Sequence, residues 1–410
     1  MEIGAKNILF LSALDFKEKS IQVIRNTPEA YVSAGWDVDY IVARDNLDNG
    51  NYYYEKEINP EGVNIKRCYW PFPKLRASLP RLIALLLGKL ASFLVVLNMA
   101  WFGIKALKKK KYDIIYGYEM QGVLAMNLLR LFISSETKTI SRFQGTFLNE
   151  MFSSKEYARL IFNTDLILAI WLKSNLLIMT NDGTQGDLAV RRIKKHQDYN
   201  MFFLVNGVDR FDINPNFKEI KKDSSENIIF MSVSRLVGWK RVDRNVEILA
   251  ALKNLGYGTF KYYVIGEGDK RNELVKLVKQ KGLVEQVVFV GAVAHKEVMG
   301  YLGQSDVFMS MYDSSNVGNP LLEAIRANKI IVTLNNGDTK NWIQHNKNGL
   351  IYNPNESFYK KVAQDLLELL QNESKMKELK NNLLITEHEK LYTWDERLSK
   401  EISEVEKLCI

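Results

Sequence analysis

The chain has 410 residues, of which 46% are hydrophobic and 25% charged, with Gly 24 and Pro 8. That composition excludes a disordered or fibrous protein, and the length exceeds what one hydrophobic core usually serves, so two domains are expected. Net charge is +8, and residues 1–200 carry nearly all of it, with 27 Lys and Arg against 20 Asp and Glu, whereas 201–410 hold 29 against 28. Two cysteines, Cys68 and Cys409, make neither a disulfide framework nor a four-ligand metal site, which suits a reducing compartment. None of the four histidines stands in an HExxH or HxH pattern, so a zinc or iron centre is not expected.

The start, MEIGAKNILFLSAL, reads as a buried first strand rather than a signal peptide, because it lacks a basic leader and a cleavage site. Apolar, β-branched runs follow at 7–12, 37–43, 63–69, 113–118, 138–143, 166–170 and 202–205. Helix-compatible stretches separate them at 21–34, 81–110, 122–132, 155–163 and 186–196. This is the order of βα units around a mostly parallel sheet.

One stretch in that half stands apart. LIALLLGKLASFLVVLNMAWFGI, at 82–104, contains a single charge, Lys89, and is followed by Lys105 and Lys108 to Lys111. A bilayer-spanning helix, a buried core helix, and a helix or pair of helices broken near Gly88 lying in the membrane interface all suit its length. The adjoining lysines favour the interfacial form on an anionic membrane. A nucleic-acid reader would interleave its cations with aromatic platforms, so nucleic acid is not an expected partner.

After a polar passage at 214–227 the pattern restarts, with strand-like runs at 227–234, 260–266, 287–292, 306–311, 329–334 and 349–352. The expected architecture is therefore α/β, with two doubly wound domains and a ligand site beyond the carboxyl ends of their strands. The boundaries fall at 1–205, a linker at 206–226 and a second domain at 227–390. A last helix at 392–408 repeats its apolar residues Trp394, Leu398, Ile402, Val405 and Leu408 at three and four, so one of its faces must pack on something.

Three segments of the second half suit a nucleotide. In SVSRLVGWKR, Arg235 and Lys240 lie just past a strand, where two fixed cations can oppose a diphosphate, although such a pair is common on any surface. In VIGEGDKRNEL, Gly266 and Gly268 suit a tight turn, but Arg271 breaks the GxGxxG fingerprint of a nicotinamide site. In DSSNVGNPLLEAIRANK, Gly318 and Pro320 fix a loop that enters a helix around Leu321, whose free N–H groups would face a phosphate. Glu323 in its first turn can bind vicinal ribose hydroxyls or simply compensate the helix dipole.

These segments, with NGVDRF at 206–211 and VVFVGAVAHKEV at 287–298, resemble family 4 of the retaining, nucleotide-sugar-dependent glycosyltransferases of the GT-B fold over most of 200–350. PEAYVSAGWDVDYIVA at 28–43 agrees more loosely. The resemblance implies two Rossmann-like domains facing across a cleft, with the last helix returning to the first. It makes Arg235 and Lys240 the diphosphate clamp, Glu323 the ribose ligand, and Gly266, Gly318, Asn319, Pro320 and Leu321 part of the donor loops. Ser315 stands where the family usually has a second glutamate, and Gln144 where it often has a histidine. Gln144 can bond a sugar hydroxyl but cannot exchange a proton. Asp15, Lys19, Glu119, Gln121, Arg142, Asn181, Asp182 and Thr184 follow strands of the first half and are the acceptor candidates.

The implied activity is transfer of a hexose or N-acetylhexosamine from a UDP- or GDP-sugar to a lipid-linked or polysaccharide acceptor. The implied enzyme is cytoplasmic and peripheral on the membrane, and it needs no cofactor or metal because the neutralising cations are already in the chain. A nucleotide-sugar epimerase of similar architecture and a non-catalytic membrane-binding relative are the alternatives.

Overall fold

The computed structural model describes residues 6–16, 21–44, 59–69, 79–210, 228–353 and 358–409; Lys19, Phe211 and most of the expected 206–226 linker lie outside them. The chain forms two compact units. The first draws on the chain up to Asn181, on Gly186–Asn206 and on the segment from Trp394; the second comprises Asp182–Gln185 and Gly207–Thr393.

In the first unit seven strands pair in parallel: β1 (Asn7–Ser12), β2 (Asp37–Arg44), β3 (Asn64–Tyr69), β4 (Ile114–Tyr118), β5 (Lys138–Phe143), β6 (Leu176–Thr180) and β7 (Met201–Leu204). Their spatial order is β3-β2-β1-β4-β5-β6-β7. Helices cover both faces, which is why the central strands read as unbroken apolar runs rather than alternating ones. One face carries α2 (Arg81–Leu107), α3 (Glu119–Leu129), α4 (Leu148–Ser153), α5 (Tyr157–Phe162), α6 (Thr164–Trp171) and α7 (Gly186–Ile193). The other carries α1 (Ile21–Ser33) and the last helix, α14 (Trp394–Glu406), over an aromatic cluster in which Phe10 stacks on Tyr40 and meets Tyr31 and Tyr116.

Two local expectations change. Residues 166–170 are helical, in α6, and the strand that was not anticipated is β6, LLIMT. Both are short apolar runs without a deciding period; buried Ala169 and Ile170 beside exposed Leu168 and Trp171 show helical spacing. Helix α2 runs unbroken through Gly88, since the roughly 1 kcal/mol cost of an interior glycine is small beside the packing of its buried residues on α3 and β2.

α14 is held by charge as well as by its apolar stripe. Arg142 Nη1 on β5 donates to Glu401 Oε2 (2.6 Å), Arg397 donates to the same oxygen, and the Tyr116 hydroxyl donates to Glu401 Oε1 (2.7 Å). All three charged side chains are fully buried. Burial alone would raise the Glu401 carboxyl, but the charges of Arg397 and Arg142 outweigh it and hold the group below its ordinary range. The depressed carboxyl contributes stability above the ordinary carboxylate pKa and loses it as pH falls. Glu401→Gln leaves two buried guanidiniums without a counter-charge and is expected to cost about 3–5 kcal/mol near neutral pH. Urea denaturation should show that difference shrinking as pH falls below about 4.3, where Glu401 of the unfolded chain begins to take up a proton while the folded carboxylate still holds its charge.

The second unit repeats the plan with six parallel strands: β8 (Ile228–Val233), β9 (Phe260–Ile265), β10 (Val287–Gly291), β11 (Val307–Ser310), β12 (Ile330–Leu334) and β13 (Leu350–Tyr352). Their order is β10-β9-β8-β11-β12-β13. The helices are α8 (Val242–Asn254), α9 (Arg271–Gln280), α10 (His295–Gln304), α11 (Asn319–Arg326), α12 (Phe358–Leu370) and α13 (Glu373–Lys390). The chain winds outward from β8 through β9 and β10, then returns to β8's other side with β11 and winds the opposite way. The loops after β8 and β11 therefore meet at the point where the winding reverses.

Candidate active site

The loop after β8 carries Arg235 and a single tight turn at Gly238–Lys240; the loop after β11 carries Tyr312 to Gly318. They are bonded to each other, with the Asp313 N–H donating to Trp239 O (3.0 Å) and the Tyr312 hydroxyl to Val233 O (3.2 Å). The cations there divide into two kinds. Arg241, in the left-handed conformation at φ 45°, pairs with Asp243 and Asp313, and Arg244 pairs with Asp313 (2.7 Å). Arg235 is half-buried and its guanidinium has neither an ion pair nor a hydrogen bond among the described residues. Lys240 lies over the rings of Trp239 (4.0 Å) and Tyr312 (3.7 Å), which orient the ammonium.

The glycines after β9 bring the neighbouring loop close to these cations. A Cβ on Gly266, at φ 127°, would stand 1.9 Å from Ser234 O, and one on Gly268 would stand 2.3 Å from Leu236 O. No other residue type permits that approach, so the 266–268 turn lies directly on the Arg235 loop.

α11 starts two residues earlier than expected, at Asn319, and its N-terminus offers fewer donors. The Gly318 N–H is bonded to Asn316 O, those of Leu321 and Leu322 both go to Gly318 O, and Pro320 has none. Any phosphate here depends mainly on side-chain cations. Glu323 is buried, and its Oε1 lies 2.8 Å from Nε2 of His295, the first residue of α10. Burial pulls the imidazole down, but the hydrogen bond and charge of Glu323, with Asp209 behind, outweigh it and leave it above its ordinary value. No local sequence pattern signals this pair, whose members are 28 residues apart.

Ser315 Oγ donates to Asp182 O (3.0 Å) and accepts the Val317 N–H (3.0 Å), so it braces two loops. Asp182 accepts both the N–H and the hydroxyl of Thr184. Burial pushes its carboxyl up to about 6 against the pull of those hydrogen bonds.

The first unit's candidates are engaged internally. Arg142 was expected among acceptor contacts, yet it lies fully buried on Glu401, because its strand position points it under α14 rather than out of the loop. Gln144 uses both ends of its amide: Oε1 accepts from Tyr118 (3.0 Å) and Nε2 donates to Asn206 Oδ1 (3.2 Å). Glu119, at φ 58°, accepts the Gln144 backbone N–H (2.7 Å), and Asp15 is 3.8 Å from Arg67. Gln121 donates to Ser92 on α2.

Two doubly wound parallel sheets of this kind define the GT-B fold. Sucrose-phosphate synthase from Thermosynechococcus elongatus is similar with a TM-score of 0.71 at 15% identity, covering 98% of both chains. HepE of Anabaena, solved in complex with UDP, gives 0.69 at 16% identity over 98% of this chain and 99% of that one. The model of the family Glycosyl transferases group 1 matches residues 212–383. Among curated relatives, a GDP-mannose-dependent alpha-(1-6)-phosphatidylinositol monomannoside mannosyltransferase of Mycobacterium tuberculosis is 29% identical over 41% of this chain. The O-antigen biosynthesis glycosyltransferase WclY of Escherichia coli is 23% identical over 55% of it. The alignments span 46% and 62% of those relatives' own lengths.

The His295–Glu323 pair makes a pH prediction. An imidazole raised by a partner contributes stability that is fully present below its unfolded pKa of about 6.5 and is lost as pH rises through the higher folded value. His295→Ala should therefore lower thermal stability at about pH 5.5 and leave it nearly unchanged at about pH 9. The effect should not exceed about 1 kcal/mol, because 48% of the side chain is exposed to screening water.

Proposed function

We propose that the protein is a glycosyltransferase that binds the diphosphate of a UDP- or GDP-sugar through Arg235 and Lys240 and moves a hexose or N-acetylhexosamine to a lipid-linked or polysaccharide acceptor. The observation that carries this reading is the half-buried Arg235, without an ion pair among the described residues, beside the ring-held Lys240 at the switch point of a doubly wound sheet, while the neighbouring Arg241 and Arg244 are already neutralised by carboxylates. A half-buried guanidinium without a counter-charge is costly unless a ligand supplies one, and a guanidinium with an ammonium beside it suits a diphosphate. The names of the relatives, which include GDP-mannose and phosphatidylinositol, and the neighbour solved with UDP support the same ligand and acceptor classes.

In the transfer step the bond between the sugar's anomeric carbon and the β-phosphate oxygen breaks, its electron pair leaving with the diphosphate. The acceptor hydroxyl bonds to the anomeric carbon and its proton passes to the departing phosphate oxygen. Arg235 and Lys240 oppose the charge that grows on that oxygen. With Gln144 held at both ends and unable to exchange a proton, a retaining course assisted by the leaving phosphate is the one these residues suit.

Arg235→Ala and Lys240→Ala should each reduce kcat/KM by about 2–4 kcal/mol of transition-state stabilisation, measured with a panel of UDP- and GDP-sugars. Unchanged kcat/KM in both variants would overturn the assignment. Isomerisation of the donor sugar without any acceptor would replace it with the epimerase reading.

Glu323 is assigned to the ribose hydroxyls, which requires the nucleotide to share or displace His295. Calorimetric titration with bare UDP or GDP should show Glu323→Gln weakening binding by roughly tenfold, the size of one charged hydrogen bond. Ser315→Ala should change it much less, since Ser315 is occupied with the Asp182 loop.

A further inference from the structure

A helix lying on the surface of a soluble domain carries one apolar stripe, and α2 carries two. Ala91, Val95 and Met99 face the sheet and are fully buried. On the outward side Leu82, Leu86, Leu90, Phe93, Leu97 and Trp101 recur at four, four, three, four and four, and every one is exposed, from 43% for Leu97 to 69% for Leu82. Only 28% of the apolar window of this helix, which is long enough to cross a membrane, is buried.

This stripe does not stand alone. Lys89 Nζ lies 2.7 Å from both oxygens of Asp165 on α6 and 4.6 Å from the ring of Phe162 on α5, which ties both helices to the first half of α2. α5 has no buried residue, and Tyr157 and Ile161 on it are more than 65% exposed; α6 adds exposed Leu168 and Trp171. Three helices of one layer thus offer a continuous apolar surface to solvent, far more than scattered surface side chains account for.

We propose that this face docks on an anionic lipid bilayer, with α2 lying in the plane of the interface. The charges choose lipid over a second copy of the chain. Residues 81–200, which hold this layer together with strands β4 to β6, carry 17 Lys and Arg against 9 Asp and Glu, an excess of 8 that includes Arg142 on the opposite face. A two-fold dimer through the face would set that excess against itself, whereas lipid phosphates oppose it. Trp101 and Trp171 are amphipathic rings suited to the head-group level. Lys105 lies over Trp101 (4.8 Å), and exposed Lys108 and Lys109 follow at the end of the helix. Other cations of this half serve the fold. Lys110 pairs with Asp37 and Asp39, Lys111 with Glu136, and buried Lys194 donates to the last carbonyls of α6. A crossing helix is excluded by the same packing, since the inner face of α2 is part of the core of the first unit.

This inference goes beyond the transferase reading and is tested separately from it. The full chain is floated with phosphatidylcholine–phosphatidylglycerol vesicles and with phosphatidylcholine alone, at low and high salt. Wild type should float with the anionic vesicles and be released by carbonate. Leu86→Gln, Phe93→Gln and Ile161→Gln together should reduce the bound fraction at least about tenfold, each removing an exposed side chain from the acyl region. Lys105→Gln, Lys108→Gln and Lys109→Gln together should abolish the preference for anionic vesicles and its salt dependence. Both variants should keep the wild-type melting temperature and the wild-type affinity for UDP or GDP, so that failure to dock is distinguished from loss of the donor site. Absence of wild-type flotation, flotation of the apolar variant equal to wild type, or resistance of bound wild type to carbonate would each overturn the proposal. So would a wild-type dimer, seen by light scattering, that the apolar variant dissolves.

Discussion

The reversal of winding between β8 and β11 is the constraint on which the second unit's chemistry depends. Parallel strands need crossover helices, and those helices lie on opposite faces for chains winding in opposite directions, so the carboxyl ends of the two strands at the reversal are left without a covering helix. The loops that emerge there must satisfy one another, and they do so through Asp313 to Trp239 and Tyr312 to Val233. Once the backbones are tied, Arg241 and Arg244 fall within reach of Asp313, while Arg235 has no ion pair among the described residues and Lys240 lies over Trp239 and Tyr312. The glycines at 266 and 268 then determine how closely the next loop approaches.

Much of this was legible in the sequence. All six strands of the second unit and six of the seven in the first coincide with apolar, β-branched runs, because a strand buried on both faces has no polar positions to interrupt it. The exception, 166–170 against 176–180, shows the limit of that signal: two five-residue apolar runs in succession carry no period by which one can be preferred. Arg235, Lys240 and Glu323 stand out in the sequence because each lies at a fixed offset from a strand end, and the structure puts Arg235 and Lys240 in the loop after β8 and Glu323 in α11 after β11.

What the sequence did not disclose is which polar residues are already occupied. Arg142 lies 259 residues from Glu401, and no local pattern connects them; its place one residue before the end of β5 suggested a loop contact when its side chain runs beneath α14. Gln144, Glu119 and Asp15 likewise follow strands, as ligands often do, but each serves the packing of its own unit. Loop position selects candidates, and only the hydrogen-bond inventory separates a free group from a bound one. By that measure the Arg235 guanidinium has no bonded partner among the described residues, whereas Gln144 is bonded at both ends.

The same accounting changes the meaning of the basic first half. Counted in sequence, Lys108 to Lys111 form one block of charge. In the structure the block divides after Lys109, because the helix ends at Leu107 and the chain turns toward β4, carrying Lys110 to the carboxylates on β2 and Lys111 to Glu136. A solvated run of four would bind any polyanion with little geometric preference. Two exposed lysines beyond Lys105, at the end of an exposed apolar stripe, instead align charge with a hydrophobic surface in one direction, which is the arrangement a lipid interface selects and a free nucleic acid does not.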